Sequence, residues 1–291
     1  MRPAPSLLRR LSRSRLLPRQ VSPSSGVGER RSKARGVGLE FADHRPYQAG
    51  DDIRHLDLQI RARLGELHVR RHHESRQLPI TIIVDGTASM AFGEPSKFEF
   101  ALGLAEALAF VGLSHGDQVV GAVHAAGQLR LSPRFHGARR APALFDWFEA
   151  QRPAGAGSML QMVRQAWPSA PPPGMAILIS DWWLADVDRD LGLLAQLGQE
   201  AVLVHVLSAE EADPRLLGTG DARLVDAESG EEIEMPLAAS AVETYQRALR
   251  AFRDRLQTAA ARNRGRIFAV STRDDPSTIL LRDWRIAGLI G

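Results

Sequence analysis

A doubly wound, mostly parallel α/β sheet is the fold class this sequence predicts, and three observations predict it. Short apolar runs rich in β-branched residues recur at positions 78–85, 175–181, 201–207 and 266–271, the pattern of parallel strands buried on both faces. Between them lie stretches with apolar residues at helical spacing, as in Phe98, Ala101, Leu102, Leu104, Ala105, Leu108 and Ala109. Two of the runs end in an aspartate, Asp85 and Asp181, at the strand end where open α/β sheets bind their ligands.

Taken in order, residues 1–35 are rich in Ser, Pro and Arg with no sustained apolar period, and are expected to form a basic, largely disordered arm. Leu7-Leu8 and Leu16-Leu17 offer at most a short amphipathic helix. Residues 36–77 are polar with strand-like pieces such as 66–71, and are expected to pack on the flank of the sheet. Residues 78–291 carry the alternation. Strand 78–85 is followed by helix 97–113, a hairpin of 118–124 with 128–131 around Ala126-Gly127, and helices over 139–150 and 158–167. Strand 175–181, helix 189–197 and strand 201–207 come next, then a second hairpin of 223–226 with 231–235 around Glu228-Ser229-Gly230. A long helix over 239–263, strand 266–271 and a last helix over 276–289 complete the reading. Such alternation means a doubly wound sheet, with the 128–131 strand as an antiparallel edge.

Composition narrows the chemistry. The 291 residues, 44% hydrophobic, bury a substantial core, and no apolar run approaches the roughly 18–20 residues of a membrane span. With no cysteine, disulfides, thiolate catalysis and cysteine-bound zinc are excluded. Lys33 and Lys97 are the only lysines, so nearly all cations are arginine. The net charge of +3 hides an asymmetry. Arg2, Arg9, Arg10, Arg13, Arg15, Arg19, Arg30, Arg31, Lys33 and Arg35 face one acid, Glu29, before Gly36, and the rest of the chain is net acidic. No Gly-x-x-x-x-Gly-Lys-Ser/Thr phosphate loop and no Gly-x-Ser-x-Gly elbow occurs.

The strand-end residues are the candidate site. Asp85, Thr87 and Ser89 place a carboxylate and two hydroxyls at alternate positions of one loop. Gly155-Ala156-Gly157-Ser158 ends a flexible loop in a hydroxyl, and Ile177-Leu178-Ile179-Ser180-Asp181 ends a second strand in a carboxylate. Hard cations such as Mg²⁺ take oxygen donors of this kind and complete their octahedron with water. Trp182 and Trp183 follow Asp181 directly; paired aromatics there either flank a partner-binding surface or, for at least one of them, cover the end of the sheet.

The order Asp85-x-Thr87-x-Ser89, then Ser158, then Asp181 resembles the metal-ion-dependent adhesion site of von Willebrand factor A domains. Their Rossmann-like sheet is the doubly wound fold expected here. The resemblance implies an Mg²⁺ or Mn²⁺ ion touched by the hydroxyls, with the aspartates acting mostly through water and a partner's carboxylate completing the shell. Thr87 stands where that family has Ser, and Ser158 where it has Thr; both substitutions keep a hydroxyl oxygen. A second resemblance rests on residues 36–63. Glu40-Phe41, Arg45, Tyr47, Gly50-Asp51, Arg54, Asp57 and Ala62-Arg63 look like the signature of a bacterial family of unknown function whose A-type domains accompany MoxR-type AAA+ ATPases; Leu58 replaces its usual Trp. It implies a cytoplasmic, non-enzymatic adaptor for a MoxR-type AAA+ ATPase in protein complex maturation. Within the segment, Glu40, Arg45, Tyr47, Asp51, Arg54 and Asp57 are expected to be structural, their charges stapling the loop. The alternatives are a metal-assisted hydrolase using Asp85 and Asp181, and a nucleic-acid or membrane binder acting through the basic arm. Neither nucleic acid nor a membrane span is expected on the leading reading.

Overall fold

The computed structural model describes residues 2–19, 30–36, 40–48, 56–159, 163, 172–183, 187–218, 221–225, 227, 231–236 and 238–291. The chain divides into two compact units, Met1–Ser22 with Pro79–Gly291, and Pro23–Leu78.

The first unit begins with helix α1 (Pro5–Leu11). Proline at its first turn costs no hydrogen bond there. Leu7 and Leu11 on the helix and Leu16 beyond it are buried. The chain then runs alongside its own far end: the Arg15 N–H donates to the Gly291 carbonyl at 2.9 Å, Gly291 N–H to Arg15 at 2.8 Å, and Leu17 N–H to Leu289 at 2.8 Å. Residues 2–19 of the arm expected to be disordered are therefore structured. Three leucines, too sparse to make a period, suffice when they dock on a face the rest of the fold has already built.

The second unit holds a three-stranded antiparallel sheet of β1 (Arg30–Gly36), β2 (Glu40–Pro46) and β3 (His68–Arg76), with β3 in the centre. Helix α2 (Leu58–Leu64) precedes β3. Asp57 caps it, its carboxylate accepting from the N–H groups of Gln59 and Ile60, which are unsatisfied at any helix start. Gly65 closes it in the left-handed conformation, φ 74°. Residues 30–76 thus carry a sheet of their own, where a basic arm up to 35 and isolated strand-like pieces after it were expected. The alternating charges of 68–76 hide it, because polar residues on both sides of a strand erase the period-2 signal.

In the first unit, β4 (Pro79–Asp85) occupies the middle of a seven-stranded sheet, and all seven of its residues are buried. Helix α3 (Lys97–Ser114) follows it and buries 14 of its 18 residues, which is why it is apolar on nearly every side. Ser96 and Glu99 form a capping box at its start. The chain continues through β5 (Gln118–Ala125), β6 (Gln128–Leu131), β7 (Phe135–His136) and helix α4 (Ala141–Glu149). After β8 (Met175–Ser180) come helix α5 (Val187–Gln196), β9 (Glu200–Leu207) and the one-turn helix α6 (Ala209–Ala212). The hairpin β10 (Asp221–Val225) with β11 (Glu232–Pro236), the long helix α7 (Ala239–Arg262) and β12 (Arg266–Ser271) complete the elements.

The strand order is β12-β9-β8-β4-β5-β6, with β7 also pairing β5. All neighbours from β12 to β5 are parallel, and β6 is the antiparallel edge. The expected fold class is what the chain adopts. From β4 the chain first builds toward β5 and β6, then crosses back to lay β8 on the other side. The crevice between the carboxyl ends of β4 and β8 is therefore the topological switch point, where doubly wound sheets bind ligands.

Two helices differ from expectation. Of the helix expected over 158–167, Met159 and Val163 are helical and buried, and residues 160–162 and 164–167 lie outside the described residues. The single helix expected over 276–289 is broken: Pro276–Thr278 leads into a π-turn at Ile279–Asp283 and then Trp284–Ile286. Ile279, Leu280 and Trp284 are buried along this widened turn.

Candidate metal and partner-binding site

The site starts where β4 ends. Gly86 N–H donates to the His124 carbonyl at 2.7 Å, and a Cβ on Gly86 would stand 2.9 Å from that oxygen and 3.2 Å from the Phe98 ring. Only glycine lets the chain leave the strand this close to β5. It then turns so that Asp85 Oδ1 accepts the Thr87 N–H at 3.0 Å, and the hydroxyls of Thr87 and Ser89 lie 3.1 Å apart. Asp85 and Thr87 are buried and Ser89 is half-buried.

A second loop is laced to the first through the backbone. Ala154 N–H donates to Gly86 at 2.7 Å, and Ala88 N–H donates to Gly155 at 2.7 Å. Gly155 adopts φ 73°, and a Cβ there would meet Ala126 Cα at 2.9 Å. These bonds anchor the loop that ends at Ser158, half-buried a few residues on.

The third contribution comes from β8. Ser180 Oγ donates to Asp85 Oδ2 at 2.6 Å and accepts the Trp182 N–H at 3.0 Å. Asp181 is buried and receives the Lys97 ammonium on Oδ2 at 2.8 Å. The same ammonium donates to Glu211 Oε1 at 2.6 Å, and the Lys97 side chain is 1% exposed. Glu211 belongs to the capping box that Ser208 makes at α6, and its carbonyl accepts from the Tyr245 hydroxyl of α7 at 2.7 Å. Burial raises the Tyr245 phenol to about 12, so it stays a donor.

Asp85, Thr87 and Ser89 are thus brought together, Ser158 is carried by the adjoining loop, and Asp181 stands at the neighbouring strand end with one oxygen engaged by lysine. Among the described residues, no three His, Asp or Glu side chains gather in a metal-holding group.

The two tryptophans part company. Trp182 was expected to bind a partner, but it is 2% exposed, part of the hydrophobic core, with its indole N–H donating to the Val204 carbonyl at 3.2 Å. Its φ of 65° turns the side chain inward, so it fills the sheet's end instead of the surface. Trp183 is 39% exposed. Its ring stacks on Phe252 of α7 at 4.8 Å with His205 edge-on to both. Burial, aided by Arg253 and Lys97, lowers His205 to about 3, so this cluster is uncharged.

Of the signature residues, Asp57 is the clearest: besides capping α2 it pairs with His44 Nε2 at 2.8 Å. Tyr47 is half-buried, and its N–H donates to the Leu67 carbonyl at 2.8 Å. Glu40 and Arg45 lie on β2 with side chains outside the described ones, and Asp51 and Arg54 lie outside the described residues.

Four residues of the site were not foreseen: Lys97, His124, Ser180 and Glu211. Lys97 carried a signal, being one of two lysines in an arginine-rich chain and a cation at a helix start, where the dipole disfavours it. Ser180 sits beside Asp181 in sequence. His124, on an apolar strand, reads as core, and Glu211 gives no local sign.

An α/β protein with an oxygen-lined site at the switch point of its sheet is the class that fold and site define. The chain belongs to the family described as protein of unknown function DUF58, which matches residues 43–264. It is 29% identical over 226 residues to uncharacterized protein Rv1480 of Mycobacterium tuberculosis, covering 75% of this chain and 70% of that one. An uncharacterized protein of Mycobacterium bovis, Mb1516, matches to the same extent. Among solved structures, the conserved hypothetical protein BatB from Bacteroides thetaiotaomicron is similar at TM-score 0.45 and 15% identity, over 73% of this chain and 98% of that one. The SpRpn10 VWA domain is similar at TM-score 0.41 and 8% identity, over 70% and 93%.

Proposed function

We propose that this protein is a non-enzymatic, metal-dependent interaction module of the von Willebrand factor A type, acting as an adaptor for a MoxR-type AAA+ ATPase. The observation that carries the metal reading is the spacing of the Thr87 and Ser89 hydroxyls, 3.1 Å. The two hydroxyls hydrogen-bond each other there, at a spacing close to the edge, about 2.8–3.0 Å, of an octahedron with the metal–oxygen bonds of about 2.0–2.1 Å that Mg²⁺ demands. Asp85, with each oxygen already accepting one hydrogen bond, keeps lone pairs free for metal-bound water. Asp181 adds a second carboxylate whose charge Lys97 partly offsets, and Ser158 supplies a further hydroxyl. Bound there, the ion would offer an open position to a partner's carboxylate. The signature residues shared with the MoxR-associated family support the choice of partner. The hydrolase alternative needs a base that substrate can reach, and the imidazole beside Asp85, that of His124, is wholly buried.

Calorimetry with Mg²⁺ and Mn²⁺ tests the first half. Divalent binding is expected in the native protein and lost in Asp85→Ala with the fold retained, because a strand-end carboxylate leaves without opening an apolar cavity. A pull-down of the ATPase with and without chelator tests the second. No binding at millimolar metal, or a complex indifferent to both chelator and mutation, would overturn the reading.

A further inference from the structure

Among the described residues, His124 and His205 are both fully buried imidazoles with neither ring nitrogen hydrogen-bonded, and His124, on β5, is the one that stands at the site. A buried imidazole left so costs free energy that a protein ordinarily recovers with a partner. Its surroundings are built. It stands beside Asp85 in the parallel register of β4 and β5, so both side chains project from the same face of the sheet. Its Nδ1 lies 3.7 Å from Asp85 Oδ1, too far for a hydrogen bond. The glycine loop closes over the ring, with the Cβ direction of Gly157 3.8 Å from Cε1. Two ligands of one ion, with bonds of about 2.0–2.2 Å, stand roughly 3.0–3.5 Å apart, and Asp85 and His124 are a small shift from that.

We propose that His124 is a nitrogen donor to the ion held at Asp85, so that this site selects a transition ion such as Mn²⁺, Co²⁺ or Zn²⁺ over Mg²⁺. The inference rests on the metal reading above and refines it. Asp181 is tied to Lys97, so the two residues best placed to share an ion's charge are Asp85 and His124, with the Thr87 and Ser89 hydroxyls beside them. Imidazole suits borderline transition ions, whereas Mg²⁺ prefers oxygen and keeps its water.

The test is calorimetry of the full chain with Mg²⁺, Mn²⁺, Co²⁺ and Zn²⁺ in turn, on the native protein, His124→Leu and Asp85→Ala. The transition ions are expected to bind the native protein at least tenfold more tightly than Mg²⁺. His124→Leu should lose that margin while keeping its melting temperature; Asp85→Ala should lose binding of every ion tested. Pulsed electron paramagnetic resonance of the Mn²⁺-loaded protein adds a second readout: nitrogen coupling in the native chain, absent in His124→Leu. Should His124→Leu fail to fold, His124→Gln, which keeps a polar group, takes its place. Transition-ion binding and nitrogen coupling unchanged by the His124 variant would overturn the proposal. If Mg²⁺ binding is then still lost in Asp85→Ala, the metal reading survives without it. Absence of any divalent binding would overturn both.

Discussion

Lys97 holds more of the site together than any other single side chain. Its ammonium joins the start of α3 to the end of β8 and to α6, and it does so at a helix N-terminus, where a cation is disfavoured. Two carboxylates offset that cost. Lys97→Met should strand Asp181 and Glu211 and destabilise the fold by about 3–5 kcal/mol, the usual penalty for removing one member of a buried ion group. Chemical denaturation of the mutant measures it, and an unchanged midpoint would show the ions to be solvated. Glu106 is the opposite case. Its carboxyl is 1% exposed with neither oxygen hydrogen-bonded, and burial first, then the nearby Glu149, pushes it up to about 8. Between its ordinary value of 4.5 and about 8 the folded chain holds a proton that the unfolded chain releases, so stability falls as pH rises through that window. Glu106→Gln should melt with the native protein at pH 4 and above it at pH 9, by a few kcal/mol of stability. Melting curves at the two pH values decide it. At this scale the sequence was half legible. Asp85, Thr87 and Ser89 announce themselves by spacing on one loop, whereas His124 and Glu211 reach the site only through strand register and a distant helix cap, which no local pattern encodes.

At the scale of elements, strands were read best. The runs at β4, β8, β9 and β12 are apolar because parallel strands here are covered on both faces, and that leaves continuous β-branched text. The hairpin β5–β6 was legible from the turn residues Ala126-Gly127. Less legible were elements whose periodicity is diluted by charge, such as β3, or bent by packing, such as the π-turn after Thr278. The pair Trp182-Trp183 shows the limit plainly: adjacent identical residues, one in the core and one at the surface, separated by a single positive φ that the sequence does not display. Trp183 remains the aromatic beside the strand ends. Trp183→Ala should weaken ATPase association several-fold in a pull-down or titration, and its effect should be less than additive with that of a chelator if both act on one contact. It should cost the fold about 0.5–1.5 kcal/mol for its stack on Phe252, on top of the area the ring buries. Association unaffected by the mutation would move the interface away from this rim.

On the scale of the whole molecule, α1 and the residues after it belong to the same unit as the far end of the chain. Arg266 shows how. Buried at the start of β12, its guanidinium donates to Glu200, to the Leu17 carbonyl at 2.9 Å and to the Gly288 carbonyl at 2.8 Å, clasping both ends beside the sheet. Deleting residues 2–19 should uncover this arginine and the apolar surface beneath Leu7, Leu11 and Leu16. At roughly 1.5–3 kcal/mol for each buried leucine, the melting temperature should drop steeply, and an unaltered melt would show the clasp to be dispensable. Charge concealed it from sequence reading: ten cations before Gly36 look like an arm made for a partner, yet the fold uses the leucines among them and pairs Arg2 with Asp146 and Glu149. The clasp also sets a clock. Residues 15–17 leave the ribosome early but pair with residues 289–291. At roughly 5–20 residues per second, the interval between them is on the order of tens of seconds. Through that time the young chain carries its docking leucines uncovered, and a chaperone has its opportunity before the last strand has been made.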